Sequence, residues 1–155
     1  MAGPLWGTTP RRSIESVCAQ LGTGAVLRGC VLLLDGADGD PSLVAALAGP
    51  TAPRFLDAPD SQRYWLRVWG ARGLLWALSM PDASPAAEPW IARPLVGALG
   101  DEHWRVREMA VKVVARYRLD EAQPAIVALL DDENQRVRTA AARALRLLAA
   151  GTAHT

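Results

Sequence analysis

Two stretches of the chain repeat one another at a fixed spacing. Residues 96–115 read VGALGDEHWRVREMAVKVVA, and residues 127–146 read VALLDDENQRVRTAAARALR. Val96 corresponds to Val127, Leu99 to Leu130, Glu102 to Glu133, Val106 to Val137, Arg107 to Arg138 and Ala110 to Ala141, each 31 positions apart. A period of this length marks stacked helical units that bury their apolar faces against one another. It points to an all-α architecture and argues against a compact enzyme core.

Punctuation along the chain fits helices. Residues 1–12, with Gly, Pro, Thr and paired Arg, read as a flexible arm. Ser13 is placed to cap a helix reaching Leu21, with Ile14, Val17, Cys18 and Leu21 on one face. Gly22 and Gly24 break it, and a second apolar helix follows to Leu34. Asp35-Gly-Ala-Asp-Gly-Asp40 reads as a solvated turn, since it lacks the alternating carboxylates and distal Glu of a calcium loop. Asp40-Pro41 starts the next helix and Gly49-Pro50 stops it. An aromatic-rich helix spans about 61–80, and Pro81, Pro85 and Pro89 mark an internal linker. Helices are then predicted over about 89–99, 102–117, 121–130 and 133–149, with Asp101 and Asp132 at the cap positions. One repeat domain over 13–150 results, with pairs at 41–80, 89–117 and 121–149, a degenerate capping pair at 13–34, and a tail at 151–155.

Composition narrows the function. The 155 residues carry a net charge of +1, so no global field draws the chain to nucleic acid or anionic lipid. Lys112 is the only lysine against a background of arginines, as a GC-rich genome gives. Cys18 and Cys30 read as two buried thiols of a reducing compartment, with a disulfide between two helices as the alternative, and the two histidines are too remote to complete a zinc quartet. No run reaches the ~18 apolar residues of a membrane span, and Glu15 and Arg28 spoil an export signal after Arg11-Arg12. A cytoplasmic, non-membrane protein is expected. No Ser-His-Asp set, glycine-rich phosphate loop or HExxH occurs, and no cofactor is indicated. His103, beside Asp101, Glu102 and Glu108, reads as a surface residue.

The pattern L-x-x-L-L-D-D-x-x-x-x-V-R-x-x-A-A-x-A-L resembles HEAT repeats, and the close spacing is similar to the short variety also found in phycobilisome-lyase-type proteins. The residues that carry the resemblance are Leu99, Asp101, Val106, Arg107 and Ala110, then Leu130, Asp131, Asp132, Val137, Arg138, Ala141, Ala144 and Leu145. It extends from Pro89 to Leu148, and less closely over Asp40–Met80. It implies an α-solenoid of antiparallel helix pairs and a structural ladder made by Asp101, Arg107, Asp132 and Arg138, with Asp60 and Arg67 as a first rung. It implies binding of proteins, peptides or nucleic acids, and no residue here matches a catalytic position of the repeat-type enzymes.

At 100° per residue, Trp65, Trp69, Arg72 and Trp76 lie within about 40° of one another on the aromatic helix. Val68 and Ala71 fall on its outer face. The equivalent stripes are Arg105, Met109, Lys112 and Arg116, then Arg136, Ala140, Arg143 and Leu147. Side by side they make a ridge, aromatic at one end and cationic along the rest, that is expected to line a concave groove. Trp and Arg are frequent interface anchors, and they also suit phosphates and stacked bases. Core packing of the indoles and a solvated arginine face are the competing readings. Trp90 and Trp104 read as stack-edge residues. The expected function is a non-enzymatic binding or scaffold module for a partner with acidic groups, with nucleic acid as the alternative ligand and a homodimer left open.

Overall fold

In the computed structural model, residues 9–37 and 39–152 are described, and they contain helices and turns with no strand. The chain forms two compact units that meet at Pro85 and Ala86, inside the proline stretch 81–89. Residues 1–8 of the predicted arm, Asp38 of the turn and residues 153–155 of the tail lie outside the described residues.

The first unit holds four helices. Helix α1 spans Pro10–Leu21, and its cap, Thr9, stands four residues before Ser13. Its start is set by Thr9, whose hydroxyl accepts from Arg12 N, and by Pro10 at the first helical position, where no N–H is needed. Arg11 and Glu15 pair at 2.9 Å along its exposed side. Gly22, with φ 90°, turns the chain into α2 (Thr23–Leu34). Asp40 caps α3 (Pro41–Ala48) by accepting from Ser42 N, and Gly49 ends it at φ 105°, a conformation L side chains rarely adopt. A 3₁₀ segment, Ala52–Asp57, leads to α4 (Asp60–Ala77).

Helix α4 is the axis of this unit, packed against α1, α2, α3 and the 3₁₀ segment. It is therefore buried around most of its circumference. Val68 and Ala71, placed by periodicity on the outer face, are in the core together with Leu66, Gly70, Gly73, Leu74 and Ala77. A helical wheel assumes one buried side, and α4 has several. Its glycines set the spacing to α2. A Cβ on Gly70 would lie 2.7 Å from the Cys30 carbonyl oxygen, and one on Gly73 would lie 2.5 Å from Cys30 Sγ. Cys18 and Cys30 are free, buried thiols, and burial raises the pKa of each.

The second unit contains α5 (Pro89–Ala98), α6 (Trp104–Arg116), α7 (Gln123–Ala128) and α8 (Gln135–Thr152). Short 3₁₀ turns flank α7 at Asp120–Ala122 and Leu129–Asp131. Pairs α5/α6 and α7/α8 are hairpins, and α6 packs against α8, so the fold is all-α and of the α-solenoid class. Its core follows the period: Leu95 and Ile126, Val106 and Val137, and Ala110 and Ala141 are fully buried equivalents. Helix α6 ends where Arg118 takes φ 53°, which lets Leu119 N reach back to Val114 O. No single described helix is long and apolar enough to cross a membrane.

Candidate functional site

The two ends of the predicted ridge fall in different units. Trp65, Trp69, Arg72 and Trp76 belong to α4, and the cationic residues to α6 and α8. On α4, Trp69 is 9 % exposed and meets Phe55 edge-on with ring centres 5.3 Å apart. It is a packing residue and not a surface anchor, because the 3₁₀ segment before α4 folds over it. Trp65 and Trp76 are half-buried. Trp65 stacks on Trp69 at 6.1 Å, and the Arg11 guanidinium lies 6.0 Å over Trp76. Arg72 is also half-buried and serves the fold. One terminal nitrogen donates to Leu47 O in the last turn of α3 at 2.9 Å, where the helix dipole is negative. Its Nε is buried without a hydrogen-bond partner, and burial lowers its pKa.

The face of α6 and α8 is different. Arg105 and Met109 are half-buried, whereas Lys112, Arg116, Arg136 and Arg143 are exposed. The Arg105 and Arg136 guanidinium groups stand 4.5 and 5.6 Å from the Trp104 ring centre, so the indole carries a cation from each helix. The Glu108 carboxylate, 13 % exposed, accepts from Arg136 Nε at 3.1 Å and from Lys112 Nζ at 3.4 Å. Glu108 thus orients two of the five cations. Helix α8 itself carries Arg136, Arg138, Arg143 and Arg146 and no carboxylate. The sequence reads Trp104 as a stack-edge residue and notes Glu108 only as an acid near His103, and neither was expected in the site. Trp104 stands at a helix start, and only the α6/α8 packing brings Arg136 to it.

Behind this face lies the ladder. Arg107 donates from Nε and a terminal nitrogen to the two oxygens of Asp132 at 2.8 and 3.1 Å. Its other terminal nitrogen donates to Asp101 O at 2.8 Å, so one guanidinium ties both loops together. Arg138 repeats the backward bond, donating to Asp132 O at 2.6 Å. Asp101 and Asp132 do not cap the helices. They accept from His103 N and Asn134 N, two residues on, and His103 and Asn134 are the caps that accept from Arg105 N and Arg136 N. His103 is therefore a structural acceptor through Nδ1. Asp60 is the first residue of α4, whereas Asp101 and Asp132 each stand two residues before the cap of their helix.

Burial raises the pKa of Asp132, but the Arg107 hydrogen bonds, Asn134 N and the charges of Arg107 and Arg138 outweigh it, so the carboxyl is held below its ordinary value. Among the described residues no group of three His, Cys, Asp or Glu is placed to hold a metal ion. What the arrangement offers is a surface for contact: an indole with guanidinium groups over its ring, and exposed cations at the margin. Residues 92–152, within the second unit, match the family model for HEAT repeats. No curated protein and no solved structure matches the chain.

Proposed function

We infer that this chain, whose residues 92–152 match the model of HEAT repeats, repeats that generally serve as protein-interaction scaffolds, is a non-enzymatic binding module that uses the α6/α8 face to grip an acidic segment of a protein partner. The observation that carries this reading is Trp104 held between Arg105 and Arg136, with Glu108 fixing Arg136 and Lys112. A pre-oriented indole loses little entropy on binding, and guanidinium groups favour carboxylates with which they pair bidentately. Lys112, Arg116 and Arg143, exposed around it, supply steering. Trp65 and Trp76 are left as half-buried residues of the first unit with no part in this contact.

A panel of fluorescent peptides mixing Glu with Leu or Phe tests the reading, with single-stranded oligothymidine as comparator. Trp104→Ala is expected to weaken the best peptide by about thirtyfold, the range of an interface anchor worth ~2 kcal/mol. Lys112→Glu with Arg116→Glu and Arg143→Glu is expected to weaken it by about tenfold or more, mainly through association rate. Affinity is expected to fall only moderately between 50 and 200 mM salt. A steep linear fall in log affinity for the oligothymidine, with peptides unbound, means that phosphate is the ligand of this face. Unchanged peptide affinity in both variants overturns the assignment.

A further inference from the structure

The 31-residue period pairs each position in α5/α6 with an equivalent in α7/α8, and one set of apolar equivalents differs in exposure. Leu99, Val111 and Val114, on the side of α5/α6 that meets α7/α8, are 2, 1 and 0 % exposed. Their equivalents Leu130, Ala142 and Leu145 are apolar too, yet Leu130 is 38 % exposed and the other two are half-buried. Arg107 is buried because its guanidinium closes on Asp132 of the next pair. Arg138 makes the same backward bond to its own loop, but among the described residues it has no carboxylate in an ion pair. Val127 is exposed as well, at 48 %. At Leu130, Arg138, Ala142 and Leu145 the flank of α7/α8 turned away from α5/α6 thus repeats in kind a surface that elsewhere in this unit is covered by a helix hairpin.

We propose that this flank docks a helix hairpin of a partner protein, one that brings an aspartate or glutamate in the loop before its second helix onto Arg138. The occupant follows from continuity with the α6/α8 interface and from charge. The covering hairpin inside this unit packs on Leu99, Val111 and Val114 and brings to Arg107 the Asp132 carboxylate at 2.8 Å, with that of Glu133 farther off at 3.8 Å. A partner that repeats this chemistry satisfies the Arg138 fork and the apolar patch together. The surface is separate from the face around Trp104, and either assignment can fail without the other.

The probe is a synthetic hairpin of residues 119–152, which carries Asp132 before its second helix, titrated against the full chain by fluorescence anisotropy. Saturable binding is expected, with about tenfold loss or more for an Asp132→Asn hairpin and for an Arg138→Gln chain, and near-complete loss for a Leu130→Asp chain. Binding that ignores Arg138→Gln and Leu130→Asp overturns the proposal. A second measurement covers a hairpin that fails to fold alone: a full chain with residues 122–152 repeated once after Thr152. There, amide exchange at Leu130, Ala142 and Leu145 is expected to slow at least tenfold, and Arg138→Gln to reverse part of the protection. Unchanged exchange in that chain, together with no hairpin binding, also overturns it.

Discussion

Replacing Asp132 with alanine is expected to cost about 3–5 kcal/mol of unfolding free energy, the largest loss for any single polar side chain in the second unit. The side chains of Asp132 and Arg107 are 7 and 10 % exposed, so the pair is shielded from water and salt. Removing the carboxylate leaves a guanidinium in the interior with two N–H groups unanswered, and it strips Asn134 N of its acceptor as well. Asp132→Asn keeps one acceptor and is expected to lose about half as much. Arg107→Met combined with Asp132→Leu removes both charges, and most of the loss is expected to return, because a paired apolar replacement leaves nothing unsatisfied. Urea unfolding of the four chains at neutral pH separates these cases, and a loss under 1 kcal/mol for Asp132→Ala overturns the account. The pH dependence has a fixed sign. The folded-state carboxyl titrates below its unfolded value of about 3.9, so its contribution is fully present above that value and is lost as pH falls through the folded-state value. The gap between the parent chain and Asp132→Asn is therefore expected to close in acid and to persist, unchanged, from pH 5 to 8.

The second unit was legible because its rules are local and repeated. One period placed α5 to α8 and the buried positions Val106, Val137, Ala110 and Ala141, and the resemblance to HEAT repeats implied the residues of the rung. What the period could not show was the direction of the aspartates. An Asp side chain bonds N–H two residues on as readily as it caps a helix, and here it does the former while His103 and Asn134 cap. The first unit was harder to read because its organising helix has no exposed majority face. Trp65, Trp69 and Trp76 lie on one stripe of α4, but an indole can be an anchor or a wedge, and the stripe looks the same in both cases. Phe55 and the 3₁₀ turn decide it for Trp69, and neither is marked by spacing. Trp104 shows the opposite failure. Its surroundings come from α8, about thirty residues later, and sequence proximity holds no trace of them.

Gly70→Ala is expected to destabilise the first unit by about 2 kcal/mol, against the direction of helix propensity. Alanine in a helix interior is favoured over glycine by ~1 kcal/mol, so a purely local account expects a gain. Packing opposes it. The added Cβ would stand 2.7 Å from the Cys30 carbonyl oxygen, 3.0 Å from Leu33 Cβ and 3.0 Å from Leu34 N. Two of these are backbone atoms of α2, which have no rotamer to move to, so α2 and α4 must separate along their whole crossing. Overpacking of this kind costs ~1–3 kcal/mol or more, and the separation also opens gaps beside Val26, Leu27 and Leu74. Gly97→Ala in α5 is the matched comparison, because nothing lies within 4 Å of its Cβ position and the residue is exposed. There propensity acts alone, and a gain of up to about 1 kcal/mol is expected. Denaturant unfolding followed by tryptophan fluorescence reports on α4 through Trp65, Trp69 and Trp76. A stabilising Gly70→Ala would mean that α2 does not approach α4 this closely, and a destabilising Gly97→Ala would mean that the cost at position 70 cannot be assigned to the helix crossing.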